Sequence, residues 1–150
     1  MGEDLRALET ELQAELEAVR AAKDAREDAR RAAVLKDEIA AARRQAREEA
    51  KLAELEAEHG LLGKSLARID TIDGMIVVKR ADGIKVRKWQ DEHADNVTSD
   101  ALRQLARPCV VYPELGDFDA IAAERPIVIV NVATEVLRLA GLKLKEQGSK

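Results

Sequence analysis

"HGLLGKSLARIDTIDGMIVVKRADG", residues 59–83, is where the chain changes character. Residues 3–59 contain neither glycine nor proline. All three prolines and the only Trp, Tyr and Phe follow it. Gly60 and Gly63 break the preceding helical pattern, and "LLGKSLARI" reads as a short continuation of helix through Ile69. Asp73-Gly74 then signals a turn. "GMIVVKR", Gly74–Arg80, is the clearest strand of the sequence, a β-branched run after that turn. Ala81–Gly83 is a second turn signal. Ile84 and Val86 alternate like a return strand that closes a hairpin with Met75–Val78. Trp89 and His93, four apart, look helical, so strand and helix both stay open over 84–93. The expected fold is mainly α with a small β-hairpin (α+β). A long coiled-coil-like helix covers 1–60, a small α+β domain 61–141 and a polar tail 142–150.

Upstream, residues 3–59 are mostly Ala, Glu, Arg, Lys, Asp and Leu, which are good helix formers apart from Asp. Glu3 and Asp4 suit the positive end of a helix dipole, and Gly60 suits the position just past the end. A continuous helix here is on the order of 85 Å long. Leu5, Leu8 and Leu12 start an apolar seam. After a transition at Leu16 and Val19 it runs Ala22, Ala25, Ala29, Ala32, Leu35, Ile39, Ala42, Ala46, Ala50, Ala53, Ala57. Two successive threes and two successive fours resemble a stammer and a stutter. Alanine permits close approach of a second helix but buries little per position. Two readings stand: self-association or docking on a partner through Leu5, Leu8, Leu12, Val19, Leu35 and Ile39, or a solvated helix supported by i,i+4 ion pairs.

Downstream, "TSDALRQLARP" reads as a helix capped by Thr98 or Ser99 and stopped at Pro108. "DFDAIAAERP" repeats the pattern, with Asp117 as the expected cap. "PIVIVNVATEVLRLAGLK" pairs an entering proline with a closing glycine. Its β-branched start at 127–132 argues for strand, but its length and caps favour helix, with Val130, Ala133, Leu137 and Ala140 as the inward stripe. Between these segments, Pro108, Pro113 and Pro126 act as punctuation. Cys109, Val110, Tyr112, Leu115, Phe118 and Ile121 are then expected to form a structural hub wedged between helices.

Little in the sequence points to catalysis. Net charge is −4 and acidic and basic residues are interleaved, which argues against a basic nucleic-acid-binding surface. Lys79, Arg80, Lys85, Arg87 and Lys88 have only Trp89 as an aromatic neighbour, a poor base-stacking surface. Trp89 reads either as a core plug or as a partner anchor. "DEHAD" around His93 has metal-ligand types but reads as a solvated face, and no Gly-rich phosphate loop occurs. Cys109 is the one nucleophile candidate. It follows a helix rather than starting one and has no histidine near it in sequence, so a buried structural thiol is expected. One cysteine excludes an internal disulfide and fits a reducing compartment. The N-terminus lacks a secretory apolar run and no run is long enough to span a bilayer. No metal, cofactor, catalytic residue or membrane is expected.

Three segments, "DGMIVVKRADGIKVRKWQDE", "ALRQLARPCVVYPELGDFDAIAAERP" and "VATEVLRLAG", together resemble small tail assembly chaperone-like proteins of tailed bacteriophages. The resemblance covers about Asp73–Gly141 and none of the long helix, and it rests on apolar and turn positions. It implies a non-enzymatic protein that binds other tail proteins, above all the tape measure, in the cytoplasm of the infected bacterial host. Homo-oligomers through the N-terminal helix are expected. The alternative is a structural coiled-coil component that stays in the virion or a tail-like particle.

Overall fold

A computed structural model describes residues 2–142. The expected polar tail falls, from residue 143 on, outside the described residues. The chain forms two units, divided between Ala46 and Arg47. The first is helix throughout: α1 (Gly2–His59) begins in it and runs on into the second unit.

The second unit is built on three antiparallel strands in the order β1 (Leu66–Thr71), β2 (Gly74–Lys79), β3 (Val110–Tyr112). α2 (Gly83–His93), α3 (Ser99–Ala106), α4 (Leu115–Glu124) and α5 (Ile127–Leu139) complete it. The sheet is covered on both faces. Ala67, Ile69, Ile76, Val78 and Val110 join a core with Val86, Trp89, Phe118 and the buried face of α5. Leu66, Met75 and Val77 point the other way, onto Leu52 and Leu55 of the last turns of α1. Central strand β2 is therefore apolar at every position from Met75 to Val78, as expected of a strand with no solvated face.

The hairpin differs from the expected one. β2 pairs with the segment before it, not after it: Ile69 lies opposite Ile76 and Thr71 opposite Gly74. Residues 66–69, expected as helix, belong to strand β1. Gly60 explains why the helix cannot continue. It has φ +112°, and a Cβ there would lie 2.5 Å from the Ser65 Oγ. Only glycine fits such a position without strain. At the hairpin turn Thr71 Oγ1 donates to the Gly74 carbonyl at 2.8 Å and accepts from Asp73 N at 3.1 Å, with Gly74 at φ +121°. The second turn signal, Ala81–Gly83, is a helix start instead. Asp82 Oδ1 accepts from Ile84 N at 3.0 Å and caps α2. Ile84 and Val86 are thus helical, with Val86 buried and Ile84 outside.

The later helices follow the expected order. Thr98 caps α3 by accepting from Ala101 N. A 3-10 turn at Arg107–Cys109 carries Pro108 and leads into β3, a short strand inside the stretch expected as a hub between helices. α4 starts at Leu115, earlier than the expected Asp117 cap, and has no side-chain cap. α5 is helix despite its β-branched residues, because Val128, Ile129, Val132, Ala133, Val136 and Leu137 all find burial along it. That stripe is wider than the expected one: Val130 and Ala140 are only partly buried. Leu142 N donates to the Leu137 carbonyl at 2.8 Å and closes the helix.

Candidate interaction surface

Every described residue of α1 up to Arg47 is exposed. The seam residues Leu5, Leu8, Leu12, Leu16, Val19, Leu35 and Ile39 are 50–61% exposed. Large aliphatic side chains at helical spacing with no cover make a long uncovered apolar stripe among the described residues. Thr10 Oγ1 donates back to the Arg6 carbonyl at 2.9 Å, and Arg31 lies 3.7 Å from Asp28. Such exposed pairs contribute a few tenths of a kcal/mol each.

From Glu48 on, the helix buries a different set from the expected seam. Ala50, Ala53 and Ala57 are exposed, while Glu48, Leu52 and Leu55 are buried. The reason is the sheet: its outer face offers Leu66, Met75 and Val77, and large side chains fill that space where alanine would leave it empty. Glu48 accepts from Met75 N at 2.6 Å. Arg68 reaches Glu49 at 3.0 Å and Asp70 at 2.8 Å, clipping β1 to the same helix.

The expected hub is split between the two faces of the sheet. Cys109, Val110 and Phe118 enter the helix-covered core, and β3 pairs with β2 through a register shift at Val77/Val78 rather than by regular alternation. Val111 and Tyr112 pack toward Leu52 and Leu55. Ile121 is partly buried against the first core, whereas Leu115 is 38% exposed and is no wedge. Pro108 and Pro126 are exposed at element ends, and Pro113, half-buried, follows a cis peptide bond after Tyr112. Arg107 binds Asp119 through both carboxylate oxygens, at 3.1 and 3.3 Å from Nε.

Trp89 belongs to the core and is withdrawn as a partner anchor. It is 9% exposed, and its indole N–H is spent on the Ala101 carbonyl at 2.7 Å. His93 packs its ring against it, 5.4 Å between centroids, with Nε2 buried and unpartnered. No group of three or more metal-ligand side chains occurs among the described residues. Cys109 is 5% exposed, its Sγ is 3.7 Å from the Leu105 carbonyl, and burial pushes its thiol up, against weaker opposing effects of Lys79 and Lys85. A protonated, covered thiol is a poor nucleophile.

The second unit has an open groove lined by Ile84, Arg87, Lys88, Asp91, Glu92 and Leu142, with further lining from Asp82, Gly83 and Ala140. Its mixed charge gives no basic field for a phosphate backbone. No helix among the described residues is long and apolar enough to cross a membrane. No protein-family model matches the chain, and neither a curated protein nor a solved structure does.

Sequence reasoning missed Glu48, Leu52 and Leu55 as core. The signal was present: Leu52 and Leu55 are the first large aliphatics after Ile39, and they lie beside the alanine seam rather than on it.

Proposed function

We propose that this protein is a non-enzymatic assembly protein of tailed bacteriophages. It binds other tail proteins in the infected host through its long helix and through exposed aliphatic residues of its small unit such as Ile72, Ile84 and Ile127. The resemblance of Asp73–Gly141 to tail assembly chaperone-like proteins supports the phage context. The observation that carries the reading is the exposed seam of α1, where Leu5 to Ile39 are at least half exposed. A helix with that much uncovered aliphatic surface is suited to a helical partner and to no small-molecule chemistry.

The test is co-purification of the tagged full chain with the tape measure and tube proteins of the phage that encodes it. Recovery of a tail protein by the wild type, and its loss in a Leu8→Glu, Leu12→Glu double variant, is expected. Equal recovery by both, or by neither, contradicts the reading. Mass spectrometry of purified particles then separates an assembly factor, absent from the finished particle, from a structural component that remains in it.

A further inference from the structure

We infer that α1 pairs with α1 of a second copy of this chain, antiparallel, about a two-fold axis near Ala25. The inference rests on the reading of α1 as an interaction helix and names its occupant and direction.

Two independent observations support this pairing, one its register and one its direction. The first is the seam. If residue i of one copy faces residue j of the other with i and j adding up to 50 or 51, Leu8 meets Ala42, Leu12 meets Ile39 and Leu16 meets Leu35. The rule holds for the whole seam from Leu5 to Ala46, and Ala25 meets itself. A shift of one heptad in either direction keeps the period. One way, however, it strands Ala42 and Ala46 without a facing seam residue; the other way it sets Leu5 and Leu8 against Ala53 and Ala50, in the stretch of α1 whose Leu52 and Leu55 already pack on the sheet. Toward the middle the facing residues become small on both copies, so the backbones approach closely there. The larger side chains sit on either side, where Leu8 fills the space above an alanine. The seam stays available because everything on α1 up to Arg47 is exposed, whereas Glu48, Leu52 and Leu55 are already covered.

The second observation is charge. The sequence as a whole interleaves its charges, but α1 does not. Residues 3–17 carry six carboxylates and one cation, net −5, and residues 20–47 carry nine cations and five carboxylates, net +4. A parallel, in-register pair runs the acidic segment beside its own copy and the basic segment beside its own. The antiparallel pair puts acid beside base. In the register above, Glu15 lies across from Lys36, Lys23 from Glu27 and Asp24 from Arg26, each pair occurring twice by symmetry. Like pairs remain as well, Arg6 with Arg44, Arg20 with Arg30 and Arg31, and Asp24 with Glu27. Charge patterns along helices decide partner and orientation in this way even where each pair is weak.

Directional cross-linking of the full chain tests it. Leu8→Cys and Ala42→Cys are made as separate variants, mixed, equilibrated and oxidised with oxidised glutathione; native Cys109 is buried and stays out of the reaction. The expected product is the mixed disulfide between the two variants, with neither variant linking to itself. Ala25→Cys, by contrast, links to its own copy. Self-linked Leu8→Cys means a parallel pair and overturns the inference. So does a sedimentation mass of one chain, or pairing seen only when a tail protein is added. A monomer that still captures tail proteins removes the pairing and leaves the assembly role standing. A dimer that captures none does the reverse.

Discussion

Phe118 is 1% exposed and is the only phenylalanine of the chain. In a core with so few rings, its loss has no neighbour large enough to compensate. Phe118→Ala is expected to cost about 3–5 kcal/mol, read as a lower denaturant midpoint at unchanged slope; a midpoint equal to wild type means the ring is not packed as described. Cys109 gives a sharper chemical prediction. Because burial raises its thiol, the folded protein resists iodoacetamide at neutral pH and reacts promptly once unfolded. The same shift has a sign for stability. In alkaline solution the unfolded thiol gives up its proton before the folded one does, so stability falls as pH rises through the unfolded thiol's range. Cys109→Ala removes that part of the slope, and equal slopes in the two proteins contradict the buried thiol. The burial of Cys109 and Phe118 was legible from residue type alone. The place of Trp89 was readable only as a choice, because a single tryptophan next to a polar segment fits a core or a surface equally well.

At the scale of elements, the last turns of α1 do more than end a helix. Leu52 and Leu55 cover one face of the sheet, each contributing roughly 1.5–3 kcal/mol on burial. Glu48 satisfies the Met75 N–H besides. A chain beginning at Arg44 is therefore expected to unfold cooperatively. One beginning at Gly60 leaves Leu66, Met75 and Val77 bare and is expected to aggregate or bind hydrophobic dye. Identical cooperative melting of the two chains contradicts the two-sided sheet. The clue stood in the sequence: "MIVV" does not alternate, which fits a strand buried on both faces. The missed strands have physical reasons as well. β1 alternates, with Arg68 and Asp70 set between apolar residues, but it reads as helix when taken as an extension of 58 helical residues. β3 is three residues long, too short to show a period. Asp82 looked like a hairpin residue because Asp-Gly serves hairpin turns and helix starts alike.

At the scale of the molecule, the second unit buries two apolar clusters of its own, while the first unit buries none among the described residues. Leu5 to Ile39 have no cover in one chain. Covering that seam with a second helix adds packing to what propensity alone supplies. Composition and period made the long helix and its seam legible. What covers the seam was not legible, since a 3.5-residue period is the same for a second copy, a tape measure or any other helix. The antiparallel pairing with a second copy that we infer from the charge division between residues 3–17 and 20–47 has a salt signature. Pairing that sets acid beside base weakens as ionic strength rises, whereas a parallel pair, repelling at both ends, tightens.

The central claim is that the exposed part of α1 pairs with a second copy of the chain. Sedimentation equilibrium of the full chain, without any partner, over a hundredfold dilution tests it most directly. The account predicts a mass of two chains that falls toward one on dilution, and a Leu8→Glu, Leu12→Glu variant that stays at one chain throughout. A wild type of one chain at every concentration contradicts it.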